Sequence, residues 1–178
     1  MIYMNKKIVI ISFVIFLSLT SIIFAQDMIA KVFLYPSSAK KTVGSALSVS
    51  INVANVSNLY GYDFKLYYDT RILDVKNVTE GSFLKSKGLT FFKVKEMKDN
   101  YNSTHGRVWM YSTMLSPAAP ASGFGTVAII EFKSVKAGTV AINLYDTKFV
   151  NSNSGRINIS TLGGYYEFTT LTKSPSAV

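Results

Sequence analysis

Between Tyr60 and Asp69 the chain reads Tyr-Gly-Tyr-Asp-Phe-Lys-Leu-Tyr-Tyr-Asp. Taken by twos, Tyr60, Tyr62, Phe64, Leu66 and Tyr68 fall on one side, while Asp63, Lys65 and Tyr67 fall on the other. Successive side chains of a strand point to opposite faces, so this period belongs to a strand with one face buried. Asp69-Thr70 ends it at a turn, and Ile72, Leu73 and Val75 begin the next strand. Such a row of rings must be covered by a second layer.

The same alternation recurs along the chain. A strand over Ala30 to Tyr35 stops at Pro36, and Lys40 to Gly44 reads as a polar turn. Leu47, Val49, Ile51 and Val53 alternate with Ser48, Ser50 and Asn52, and Asn55 to Asn58 reads as the connection to the Tyr60 segment. Glu80 to Gly88 reads as a loop. In the strand Thr90 to Glu96, Phe92 and Val94 oppose Phe91, Lys93 and Lys95. A polar loop from Lys98 to Gly106 leads to a strand over Arg107 to Met114. Pro117 and Pro120 forbid ladder hydrogen bonds after it. Further strands are expected at Val127 to Val135, Val140 to Leu144, Ile157 to Ile159 and Gly164 to Leu171, with a turn at Asn151 to Gly155. No segment here has a helical period, and about nine short strands punctuated by turns indicate an all-β sandwich or barrel.

The N-terminus reads as an export address. Lys6 and Lys7 precede an apolar run from Ile8 to Phe24 that ends in Ala25, the pattern of a signal helix cleaved after residue 25. An uncleaved membrane anchor is the alternative, and either outcome places the rest outside the cytoplasm, secreted or at the cell surface. One domain is expected over 26–171, followed by a frayed tail at 172–178. The chain has no cysteine, so its stability must come from packing. Its formal charge is +9, falling to +7 without Lys6 and Lys7. The basic residues are dispersed through the strands, which suits a soluble basic surface better than a nucleic-acid site. Asn55, Asn77, Asn102 and Asn158 each head a glycosylation sequon.

Catalytic chemistry finds little support. The single histidine, His105, lies in a polar loop, and no nucleophile-elbow motif is present. One histidine and no cysteine make a poor zinc set. Asp63, Asp69, Asp74 and Glu80 crowd one stretch, but Asp69 and Glu80 sit at turns, where acids serve local hydrogen bonds. The oxygen-rich loops at Asp99 to Asn102 and Asn151 to Gly155 do not fit the calcium-loop spacing and read as solvated turns. No cofactor is expected, and the chain does not read as an enzyme.

The order of signals resembles that of cohesin domains. Val43-Gly44 precedes a strand that ends at Asn55-Val56. Then come Gly61-Tyr-Asp-Phe64, Tyr68-Asp69, Ile72-Leu73 and Gly81, and later Gly123-Phe-Gly125 before Ala128-Ile-Ile-Glu-Phe132 and Gly138. The resemblance spans roughly Lys31 to Leu171, and it departs at Thr70, where the family usually has proline. It implies a jelly-roll sandwich of about nine antiparallel strands that docks a dockerin-bearing protein on one sheet face. Any calcium would belong to the dockerin. Asp63 matches the aspartate of the family's third strand that commonly contacts dockerin. Lys65, Tyr67, Phe91, Lys93 and Lys95 would share its face. Trp109 and Tyr111 join them only if Val108, Met110 and Ser112 point inward; the alternation permits the reverse, and a lone tryptophan in a small sandwich is more often core. The same sandwich type hosts carbohydrate-binding modules, so polysaccharide is the second partner class, and an envelope or adhesin subunit is a third reading.

Overall fold

A computed structural model describes residues 29–171. The expected signal helix at 1–25 and the tail at 172–178 lie outside the described residues, as do the first residues of the expected domain. Among the described residues ten strands and one helical turn follow in order: β1 (Ala30–Tyr35), β2 (Ser38–Thr42), β3 (Ala46–Asp69), β4 (Leu73–Glu80), α1 (Ser82–Lys85), β5 (Thr90–Lys98), β6 (His105–Met114), β7 (Ala121–Ser134), β8 (Gly138–Asn151), β9 (Ile159–Leu162) and β10 (Gly164–Thr169).

β3 organises the molecule. Its N-terminal half pairs with β1 and β7, which in turn pair with β9 and β4. Its C-terminal half pairs with β6 and β8, which pair with β5 and β10, and β2 closes the edge beyond β10. The two layers are therefore β9-β1-β3-β7-β4 and β5-β6-β3-β8-β10-β2, a β-sandwich sharing one long strand. Asn55 to Asn58, expected as a connection between two strands, lies within β3. Asn55 and Asn58 adopt left-handed backbone angles, φ 56° and 58°, and the ladder to β7 slips register on either side of Val56. Asparagine tolerates that conformation better than most residues, so the strand bends from one layer into the other without ending.

Three further expectations are corrected. Lys40 and Lys41 belong to β2, not to a turn; the chain leaves β1 at Pro36, which has no N–H for the ladder, and resumes beside β10. Glu80 to Gly88 is not wholly loop, because α1 buries Phe83 and Leu84; four residues are too few to show a helical period. Not every pairing is antiparallel, since β1 runs parallel to β9 and β2 parallel to β10. β7 also begins at Ala121, well before the expected Val127, and β8 runs on to Asn151, well past Leu144.

The inward rows meet between the layers. Val49, Ile51 and Val53 from one half of β3 and Phe64, Leu66 and Tyr68 from the other are fully buried. Each such side chain contributes about 1.5–3 kcal/mol by leaving water. Tyr62, Phe64 and Phe149 stack with centroids 5.2 to 6.4 Å apart. The buried Tyr62 hydroxyl donates to the Val127 carbonyl at 2.7 Å across the core, and burial raises its pKa far above the ordinary tyrosine value. Asp99 is no free solvated turn: its carboxylate accepts from the Tyr68 hydroxyl and from the Val75 N–H at 3.3 Å, tying the β5–β6 loop to the sandwich.

Candidate docking face

The open face of β5-β6-β3-β8 is built by register. Opposite Asp63 stands Tyr111 on β6 and Lys148 on β8; opposite Lys65 stand Trp109 and Tyr145; opposite Tyr67 stand Arg107 and Asn143. On β5, Lys93 pairs with Tyr111, and Phe91 with Thr113. Val108, Met110 and Ser112 are buried, which turns Trp109 and Tyr111 outward. All eight residues singled out from the sequence, Asp63, Lys65, Tyr67, Phe91, Lys93, Lys95, Trp109 and Tyr111, therefore lie on one sheet face.

Trp109 is the centre of a charged cluster. Its indole N–H donates to Asp63 Oδ1 at 2.7 Å, and the Lys95 ammonium sits 3.7 Å from the ring centroid, with Lys65 at 4.9 Å. A cation over an indole is worth about 0.5–1 kcal/mol at an exposed site. Lys65 reaches across to Asp146 on β8 at 2.6 Å rather than pairing with its strand neighbour Asp63. That contact raises the Lys65 pKa and holds the Asp146 carboxyl below its usual range. Arg107 binds Glu96, and Lys98 approaches the same carboxylate at 3.6 Å. The guanidinium, more than any other neighbour, keeps Glu96 ionised below its ordinary pKa. Tyr67 packs edge-on against Tyr101 and Tyr145, each 5.3 Å away, and the Arg107 guanidinium covers Tyr101 at 4.1 Å. Beside Trp109 a shallow groove of 440 Å³ is lined by Asp63, Lys65, Asp146, Lys148 and Arg156 among others.

The other singled-out groups stay apart from this face or serve local structure. Asp69 accepts from the Arg71 N–H at 2.9 Å and from its guanidinium, fixing the turn as expected of a turn acid. Glu80 is not a plain turn residue: its carboxylate accepts from Ser112 and Thr90, both at 2.9 Å, and joins β4 to β6 and β5. Asp74 binds Lys76 on β4. The His105 ring bonds through Nδ1 to the hydroxyl of its neighbour Thr104. Asn55, Asn77, Asn102 and Asn158 are all exposed, although Asn102 already uses its carbonyl oxygen to hold the N–H groups of Thr104 and His105. Asn151 holds the N–H groups of Asn153 and Gly155 in the same manner. Among the described residues no group of three or more His, Asp or Glu is placed to hold a metal, and no helix is long and apolar enough to cross a membrane.

The family model for the cohesin domain matches residues 32–161. The chain belongs to the cohesin domain family. Its fold is similar to that of the third cohesin ScaC of Acetivibrio cellulolyticus, solved in complex with the ScaB dockerin: 22% identity, TM-score 0.64, 80% of this chain and 100% of that one. A cohesin of Clostridium thermocellum, from the Coh-OlpC-Doc435 complex, gives 14% identity and a TM-score of 0.63, over 80% of this chain and 95% of that one. A non-cellulosomal cohesin from the archaeon Archaeoglobus fulgidus gives 16% identity and 0.61, over 80% and 92%. No curated protein sequence matches the chain.

Several residues of this cohesin's open face escaped the sequence reading. Tyr145, Asp146 and Lys148 lie past Leu144, where the expected strand ended, and the β8 ladder slips register between Tyr145 and Lys148, so two residues three apart share one face. Asp146, at φ 49°, sits in that bulge. A second bulge places Glu96 opposite Trp109 directly after Val94 pairs with Met110. Bulges break the period of two, and alternation alone cannot place the residues beyond them. Glu96 and Arg107 had one available signal, opposite charges on two expected neighbouring strands.

Proposed function

We propose that this cohesin domain is an exported docking receptor, which holds a dockerin-bearing protein on the β5-β6-β3-β8 face. The observation that carries the reading is the outward Trp109, hydrogen-bonded to Asp63 and ringed by charged and aromatic side chains on one sheet face. Interfaces enrich for aromatic anchors inside a polar rim, and tryptophan, tyrosine and arginine dominate their binding energy. Similar folds solved with a dockerin support the choice of partner. Calcium belongs to that partner, and this chain supplies acceptors and donors without a catalytic step. Export is the role of the leader at 1–25.

A polysaccharide partner is less well supported by the same geometry. Sugar rings need open, roughly coplanar aromatic platforms. Here the Lys95 ammonium already covers Trp109, Tyr67 and Tyr145 meet at 81°, and Phe91 and Tyr111 at 40°.

The test is capture of secreted proteins from the source organism by the immobilised chain, with and without a calcium chelator. A chelator-sensitive dockerin protein on the beads is the expected result. Asp63→Ala with Tyr67→Ala should weaken that capture about tenfold or more while the thermal melt shows the domain still folded. Unchanged capture by the double variant would remove this face from the interface.

A further inference from the structure

The open face is divided, and its division specifies the partner. Every carboxylate facing outward there is already engaged: Asp63 by the Trp109 indole, Glu96 by Arg107 and Lys98, Asp146 by Lys65. Among the described residues, Lys93, Lys95, Lys148 and Arg156 form no ion pair. Lys148 and Arg156 open into the 440 Å³ groove beside Trp109, while Lys93 and Lys148 end one cross-strand row through Tyr111 and Asp63. The charge left to meet a partner is therefore positive.

The opposite end of the same face is apolar. The outward rows of β5 and β6 continue past the last paired residues to Leu89 and Leu115, joined by a backbone hydrogen bond of 2.9 Å. Leu89 is 77% exposed, Phe91 50% and Leu115 42%. A hollow of 320 Å³ adjoins Leu89 and Leu115, bounded by Gly88, Pro117 and Ala118. Apolar side chains this exposed, next to a site-sized hollow, mark a contact surface.

From these two ends, and resting on the docking reading above, we infer that the partner is a dockerin whose docking helix is acidic. Its carboxylates meet Lys93, Lys95, Lys148 and Arg156, and an apolar side chain seats against Leu89, Phe91 and Leu115. A second copy of this chain does not fit, because it would bring the same unpaired cations to the interface and be repelled. A polyanion would use the cations and leave the leucines idle.

The experiment is a display library on one calcium-loaded dockerin framework, with the exposed positions of its docking helices randomised and panned against the full chain at low salt. Enrichment of Asp and Glu, with affinity falling about tenfold or more at high salt, is the expected result. Lys93→Glu with Lys148→Glu should turn the enrichment toward Lys and Arg without changing the thermal melt. Leu89→Ser should weaken acidic clones by about tenfold while leaving their salt dependence in place. Neutral or basic helices enriched on the unaltered chain would overturn the acidic assignment and leave docking intact. Enrichment of no clone at all would overturn docking itself. Heparin that displaces the acidic clones and is retained equally by Leu89→Ser would assign the cations to a polyanion and overturn the assignment too.

Discussion

The two halves of β3 do the same work on the inside of the sandwich and opposite work on the outside. Inward, Val49, Ile51 and Val53 are as fully buried as Phe64, Leu66 and Tyr68. Outward, the first half carries only the small polar Ser48, Ser50 and Asn52, set between Phe33 and Tyr35 of β1 and Ile129 and Glu131 of β7. The second half carries Asp63, Lys65 and Tyr67 beside Trp109, Tyr111 and Arg107. A strand requires only that one face be apolar; what stands on the other face is free to vary. Stability and the proposed recognition role thus fall to different faces of one strand, and the bend at Asn55 and Asn58 is where one outer surface gives way to the other.

The largest effects should come from breaking the inner symmetry. Phe64→Ala removes a fully buried ring stacked between Tyr62 and Phe149, and about 3–5 kcal/mol of folding stability should go with it. Ile51→Ala in the other half should cost about 2–5 kcal/mol. Urea denaturation measures both. A loss under about 1 kcal/mol in either half would mean that the two layers do not share one core.

Next in size is the outer asymmetry. Trp109→Ala should lower affinity for a captured dockerin by at least about 2 kcal/mol, the range of interface hot spots. Its stability loss should be smaller, since the ring is only half-buried. Ser50→Ala, on the other outer face, should change neither quantity by more than about 0.5 kcal/mol. Calorimetric titration and a thermal melt on the same samples separate the two readouts. Equal affinity losses for Trp109→Ala and Ser50→Ala would erase the distinction between the faces.

Much of this division is legible in the residues. The period of two assigns inside and outside correctly from Tyr62 to Tyr68, though Tyr60 is only half-buried and Gly61 beside it is buried, and the Phe91, Lys93, Lys95 row is found outward. What alternation leaves undecided is the β6 strand, because Val108, Met110 and Ser112 are no more apolar as a set than Trp109 and Tyr111. Burial there is settled by register against Phe64 and Leu66, a long-range fact absent from the local pattern. The tether from Asp99 to Tyr68 and Val75 is hidden for the same reason, as it joins residues 31 and 24 positions apart. Gly106 shows how tightly that region closes: a Cβ there would lie 2.4 Å from the Tyr68 ring.

The smallest expected effect sharpens the comparison through acid. Each layer has an ion pair on an edge strand: Glu96 with Arg107 on the proposed docking side, Asp74 with Lys76 on the other. The first pair is the better shielded, its side chains 11% and 17% exposed against 31% and 48% for the second. In both, the basic partner lowers the carboxyl pKa in the folded state below its unfolded value. The stabilisation is therefore complete above the ordinary carboxylate range, about pH 4–4.5, and is lost as pH falls through the lowered folded value. Solvent screens the more exposed pair more strongly, so Glu96→Gln should flatten the acid limb of a stability-against-pH curve more than Asp74→Asn does. Each change should amount to no more than about 1 kcal/mol near neutral pH. A flatter limb in Asp74→Asn than in Glu96→Gln would show that the shielding of the docking face does not govern how its charges respond to acid.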